Sequence, residues 1–320
     1  MAIDLPALAA DSLAARLLTD PTYLRVLVGT ACIALVSGVL SVFVVLKRMA
    51  FIGQGISHAA FGGAGVALLL GLYVPAVRPA LGQDVIIAVF CVLTAVAIGH
   101  LSRRGRLTED ASIGICLAGA MALGMLLIDL RALLYGQLLA GGQLSRQEVG
   151  YSVDLGNLLF GDVLMSFGHW ADVAVAGALA AGVVLAVLAL YKELVFFAFD
   201  SEAATVFGVP GGVLYYGLLV ALGLAVVAAM RTMGVILTSA LLVLPGATAR
   251  CGSRQIGWVF LASTLTAVGG ALAGFYVAVW LSAWVDVSVG PVIVLTLFAI
   301  FVVAYLLRTW RDRADRAQNG

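Results

Sequence analysis

Long apolar stretches, each close to the length of a bilayer crossing, alternate along the chain with short polar punctuation. A helix that spans a membrane needs about 20 mostly apolar residues. Nine stretches meet that need: 24–46, 51–70, 84–101, 111–128, 172–190, 213–229, 232–249, 256–281 and 289–307. Very few residues separate the first from the second and the sixth from the seventh, so eight spans is the alternative count. The pattern predicts an all-α fold, a polytopic transmembrane helical bundle of eight or nine spans occupying 24–310. An N-terminal interfacial segment (1–23) precedes it, and a charged tail (311–320) follows it.

The punctuation is basic and asymmetric. Lys47 and Arg48; Arg103, Arg104 and Arg106; Lys192; Arg250 and Arg254; and Arg308, Arg311, Arg313 and Arg316 each follow an odd-numbered span. Cytoplasmic loops of membrane proteins carry the excess of basic residues. The C-terminus is therefore expected in the cytoplasm and, with nine spans, the N-terminus outside. The leucines at 5, 8, 13 and 17 recur at helical spacing opposite Asp11 and Arg16, which predicts a short interfacial helix rather than a cleavable leader.

Two excursions interrupt the bundle. The first, 129–171, is expected outside the membrane and partly re-entrant, because a structureless loop that long is unusual. The second, 193–212, is expected on the cytoplasmic side. In it Asp200 is placed to cap a short helix over Ser201–Phe207, which Gly208 and Pro210 then stop.

Composition sharpens the class. The chain is 63% hydrophobic and 11% charged, with a mean hydropathy of +1.12, against about 25% charged residues in a soluble domain. A formal charge of +1 leaves no basic field for nucleic acid. Cys32, Cys91, Cys116 and Cys251 lie far apart without metal-binding or redox spacing, so they read as small apolar residues. No Walker A phosphate loop is present, because Lys47 follows Leu46 and Lys192 follows Tyr191. HExxH is absent as well. Ser57 and His58 are adjacent on one helix and diverge by about 100°, so they make no nucleophile–base pair.

The richest segment is 47–71, KRMAFIGQGISHAAFGGAGVALLLG. Gln54 and His58 stand four residues apart on one helix face, Ser57 lies beside them, and Gly62 and Gly65 continue the face. Polar groups inside a membrane are costly and turn toward protein or a water path. Two readings of His58 stay open: a hydrogen bond that glues neighbouring helices, or a ligand for a passing ion. His100 and His169 read as interfacial residues at opposite edges. In the seventh span Pro245 is expected to kink the helix and free a carbonyl, with Thr238 and Ser239 either satisfying it or lining a pathway. Gly270 and Gly274 predict a close helix contact in the eighth.

Four blocks in one order resemble the membrane permeases of ABC transporters for zinc, manganese and iron uptake: VVLKRMAFIGQGISHAAFGGAGVALLLG (44–71), VDLGNLLFGDVL (153–164), FDSEAATVFGVP (199–210) and MGVILTSALLVLPGATAR (233–250), followed by GPVIVL (290–295). The resemblance covers about 25–308. It implies a permease subunit of an ATP-driven importer in the cytoplasmic (inner) membrane, not itself an enzyme. No cofactor is held permanently; the metal (Zn, Mn or Fe) is the cargo. The implied partners are a separate ABC ATPase, an extracytoplasmic metal-binding protein, a second permease subunit and membrane lipid.

By the same resemblance His58 and the residue four before it hold the passing metal. Asp200, Ser201, Glu202, Ala203, Ala204, Phe207 and Gly208 form the coupling segment that docks on the ATPase. The sequence departs from the family in carrying Gln54 where an aspartate is usual, and in the stretch Arg131–Tyr151. The competing function is an ATP-independent secondary carrier. Carriers need buried ionisable groups for ion coupling, and here only His58 lies well inside a span.

Overall fold

The structure, a computed structural model, describes residues 20–77, 80–104, 107–140, 163–253, 255–282, 284–285 and 287–319. The expected helix at Leu5–Leu17 and most of the 153–164 block lie outside those residues. Eleven α-helices occur among them: α1 (Pro21–Leu46), α2 (Ile52–Tyr73), α3 (Ala80–Arg104), α4 (Glu109–Ala140), α5 (Val163–Ser166), α6 (Trp170–Ala189), α7 (Tyr191–Phe199), α8 (Ser201–Val206), α9 (Gly211–Gly252), α10 (Ile256–Leu281) and α11 (Val289–Asn319). A single 3₁₀ turn, Pro75–Val77, links α2 to α3. Nine helical stretches among the described residues are long and apolar enough to cross a membrane, so the count is nine, not eight.

Two of the nine, Gly211–Met230 and Thr232–Gly252, are halves of α9. They meet at Gly234, whose φ of 76° and ψ of 169° break the helix. That backbone region is essentially restricted to glycine. Both outer ends of α9 reach the same end of the bundle: Tyr215 lies beneath the Arg103 guanidinium at the end of α3, and Gly246 meets Ser41 near the end of α1. The chain therefore reverses at the break. The reversal uses Gly234, the residue with non-helical dihedrals, and not Pro245, which sits buried further along the second half. Thr238 Oγ1 donates to the Gly234 carbonyl at 2.7 Å, so the hydroxyl repairs the glycine break rather than a proline one. Ser239 Oγ, half-buried, donates to the Ile236 carbonyl at 2.9 Å.

The fourth span also differs from expectation. Its helix continues from 128 to Ala140, because Leu, Ala, Arg and Gln are all good helix formers. Falling hydropathy marks where a membrane ends, not where a helix must. Beyond it, Phe167 is fully buried, and its ring occupies the space a side chain at Gly29 would need.

At the two extremes burial and hydropathy run opposite. α2 is the most enclosed span and the least apolar, at a mean hydropathy of 1.5, while outward-facing α11 reaches 2.6. Lipid demands an apolar surface; the bundle centre tolerates glycine, glutamine and histidine. What holds the centre is close backbone approach. A Cβ on Gly65 would lie 2.7 Å from the Gly124 carbonyl of α4, and one on Gly38 of α1 would lie 2.9 Å from Thr264 Cα of α10. Gly274 likewise meets Ile293 of α11, with a Cβ contact of 2.6 Å to its Cα, while Gly270 faces the Leu297 side chain. Small residues let membrane helices gain dispersion and hydrogen bonds that lipid cannot supply. Ser263 Oγ donates to the Gly38 carbonyl at 2.6 Å, and the Gly246 N–H donates to Ser41 Oγ at 2.8 Å.

These crossings have a measurable signature. A Cβ at Gly246 would fall 2.5 Å from the Ser41 carbonyl oxygen, whereas Gly182 has nothing within 4 Å. Gly246→Ala is expected to destabilise the detergent-solubilised protein by about 2 kcal/mol through overpacking. Gly182→Ala is expected to stabilise it, by up to about 1 kcal/mol of helix propensity. Thermal unfolding of the two variants side by side checks both signs.

Candidate functional site

α2 enters the bundle from a tight turn. Lys47 caps α1, Arg48 adopts φ 59°, and the Met49 N–H donates to the Val44 carbonyl at 2.9 Å. Met49 and Ile52 are then fully buried and fix the direction of the helix. On α2 the buried positions are mostly glycine and alanine, which allows α3 and α4 to lie against it. The Gly62–Gly65 portion of its polar face is covered by α4 at Gly124 and by the Phe90 ring of α3. One turn earlier the cover ends: His58 is half-buried and Gln54 exposed.

The sequence places Gln54, His58, Gly62 and Gly65 on one packed seam. In the structure the glycines are the seam, and the two polar groups stand on the open continuation of it. His58 Nδ1 lies 3.0 Å from the Gln54 carbonyl oxygen, on its own helix. A carbonyl only accepts, so Nδ1 must carry the proton, and Nε2 then keeps its lone pair. Ser57, fully buried, donates its hydroxyl to the same carbonyl at 3.1 Å. A ring nitrogen whose partner nitrogen is tied to a carbonyl is the arrangement that orients metal-ligating histidines. No group of three or more His, Cys, Asp or Glu side chains able to hold a metal occurs among the described residues. One copy of the site therefore offers Nε2 of His58 and the amide oxygen of Gln54.

His100 is exposed, and His169 caps α6 by a backbone N–H to Asp172 Oδ2 at 3.0 Å. Neither lies on α2. Thr238 is fully buried and, like Ser239, bonds within its own helix.

At the basic end of the bundle α7 and α8 form a bent pair joined at Asp200. Asp200 Oδ1 accepts from the N–H groups of Glu202 and Ala203 at 3.0 and 2.9 Å. After Phe207 the chain turns through Gly208, at φ 83°. Ser201 and Ala203 are half-buried, and Glu202, Phe207 and Gly208 are exposed. Ala204 is not available to a partner: it is fully buried where α8 packs against α7 and α9. What the sequence reading missed is the apolar tip made by Phe199 and Val206, the latter 85% exposed. A valine and a phenylalanine in succession, followed by glycine, carried that signal.

Comparisons with known proteins add the context. The family model described as the ABC 3 transport family matches residues 19–308. The manganese transport system membrane protein MntB of Synechocystis is 33% identical over 294 residues, covering 89% of this chain and 85% of its own. MntC of Halalkalibacterium halodurans, of the same description, is 31% identical over 304 residues, covering 92% and 91%. The chelated iron transport system membrane protein YfeD of Yersinia pestis is 30% identical over 302 residues, covering 92% and 89%. Among solved structures, PsaBC from Streptococcus pneumoniae in complex with Fab shares the fold at a TM-score of 0.72 and 24% identity, covering 93% of this chain and 95% of that one.

The Asp200 cap is the local test of the α7–α8 geometry. Asp200→Ala removes the acceptor for two amides, a change worth about 1 kcal/mol at a helix N-cap. The Glu202 and Ala203 amides are expected to exchange about fivefold faster with deuterated solvent, while α2 amides keep their protection. Hydrogen exchange resolved by mass spectrometry reads the difference.

Proposed function

This chain belongs to the ABC 3 transport family, and from that premise we propose that it is the permease subunit of an ATP-driven importer in the cytoplasmic membrane, with a divalent transition metal as cargo. The observation that carries the reading is the α2 site: His58 with Nδ1 committed to the Gln54 carbonyl and Nε2 left as a ligand, on the open face of the most enclosed span. Manganese is the first metal to test, since relatives at 31–33% identity are described as manganese transport proteins. Zinc and iron follow.

Two ligands per chain are too few for a tight structural site, which takes four. A second permease copy facing the same α2 surface would supply another His58 and another Gln54. Two imidazoles and two neutral amide oxygens bind a divalent ion without a compensating negative charge. That weakness suits transit, because an ion that must leave cannot be held strongly. Ser57 serves the site by sharing the Gln54 carbonyl, which steadies the ring.

Energy enters close by, at the same basic end of the bundle. The exposed tip of Phe199, Val206 and Phe207 is read as the docking face for a separate ATPase, with Asp200, Ser201, Glu202, Ala203 and Gly208 shaping it. Ala204 is its buried foot. An extracytoplasmic binding protein would deliver the metal at the opposite end.

Uptake of radiolabelled manganese and zinc into vesicles holding the complete complex tests this. His58→Ala is expected to slow uptake at least about tenfold, the loss usual when a metal site loses an oriented imidazole, with folding intact because the ring projects from a partly open face. Gln54→Asp adds a carboxylate, a harder and charged ligand, and is expected to change the manganese-to-zinc ratio. Wild-type uptake by His58→Ala for both metals overturns the site. Val206→Glu is expected to uncouple ATP hydrolysis from uptake without unfolding the bundle, since that side chain is 85% exposed.

A further inference from the structure

The turn between α1 and α2 is built unlike an ordinary loop. Arg48 occupies the left-handed region at φ 59°, a position where a helix normally ends on glycine. Around it the backbone bonds from Arg48 N–H to the Val45 carbonyl and from Met49 N–H to the Val44 carbonyl close the end of α1. Met49 is buried in the same apolar cluster as Leu194 and Phe197 of α7 and Ala204 of α8. Ile52 follows in that cluster as the first residue of α2. The turn is thus held by its hydrogen bonds and by its burial, so it passes displacement on rather than absorbing it.

Lys47 joins that turn to the docking segment. Its Nζ sits 3.9 Å from the centre of the Phe197 ring on α7. The ammonium also feels Glu109 at the start of α4, Arg103 at the end of α3 and Asp200 at the α7–α8 corner. Burial pulls its pKa below the usual lysine range, while Glu109 and Asp200 oppose that and Arg103 adds to it. A partly desolvated cation held over an aromatic face gives a directional contact that an apolar side chain of the same length cannot make. Phe197 and Asp200 move with α8, because Asp200 caps it. Gln54 lies seven residues beyond Lys47, in the first turn of α2, and His58 one turn further on.

We propose that Lys47 is the positioning residue that links the ATPase-docking helix to the metal-bearing helix: displacement of α7–α8 is carried through Phe197 and Asp200 to the Lys47–Met49 turn, and from there to Gln54 and His58. The proposal rests on the permease reading above. It adds the route by which the docking segment and the metal site of that permease communicate.

The experiment uses the complete complex in vesicles, with radiolabelled manganese uptake and phosphate release measured together. Lys47→Met keeps the length and apolar stem but loses the charge. It is expected to assemble and to turn over ATP while manganese moved per ATP falls about tenfold, within the range usual for coupling between two sites. Lys47→Arg, which retains the cation over Phe197, is expected to recover most of the ratio. An unchanged ratio in Lys47→Met overturns the proposal. So does a Lys47→Met complex that loses assembly and ATP turnover together, or a Lys47→Arg complex that recovers nothing. Metal uptake by the unaltered complex is the control: absence for manganese, zinc and iron alike overturns the permease reading and this inference with it, while uptake with an unchanged Lys47→Met ratio fails this inference alone.

Discussion

Everything in this bundle depends on two backbones touching where neither has a side chain. At the α2–α4 crossing a Cβ on Gly65 would lie 2.7 Å from the Gly124 carbonyl, and one on Gly124 would strike the carbonyl of Phe61. Helices inside a membrane gain nothing from hiding apolar surface, since lipid is equally apolar. They associate when they approach closely enough for many dispersion contacts at once. The crossing fixes α2 at the centre and ends one turn short of His58. The same contact therefore holds the helix and leaves its polar end uncovered.

Much of this was legible in the sequence because membranes impose a simple rule. Every span was visible as an apolar run, since length and hydropathy are properties of the residues alone. The spacing of Gln54 and His58 was legible for the same reason. The asymmetry between Pro245 and Gly234 was not. Proline advertises a broken hydrogen bond, but Pro245 lies buried in continuous helix beside the Gly246–Ser41 contact. Glycine advertises nothing, and at Gly234 its freedom is what the reversal uses. The length of α4 was hidden because hydropathy ends at the membrane and the helix does not. Ala204 reads from the sequence as part of a docking surface because a short helix shows no periodicity to separate its faces; its burial where α8 meets α7 and α9 decides otherwise.

The polar end of α2 is sparsely furnished. Its chemistry reduces to one tautomer. The Gln54 backbone carbonyl accepts hydrogen bonds from His58 Nδ1 and from the Ser57 hydroxyl, and in that tautomer the other ring nitrogen keeps its lone pair. A resident metal would need a closed set of ligands with an oriented shell behind each. Here the shell is present for one ligand. The neutral amide of Gln54 brings no negative charge to that end.

The reversal at Gly234 has a bearing on how the protein is made. The two halves of α9 are joined by no loop at all; one residue with a glycine-only backbone turns the chain. A ribosome delivering such a sequence to a membrane insertion machine presents both halves before either can settle. With no connecting segment between its two crossings, the pair exposes nothing but a single glycine turn at the far side of the membrane.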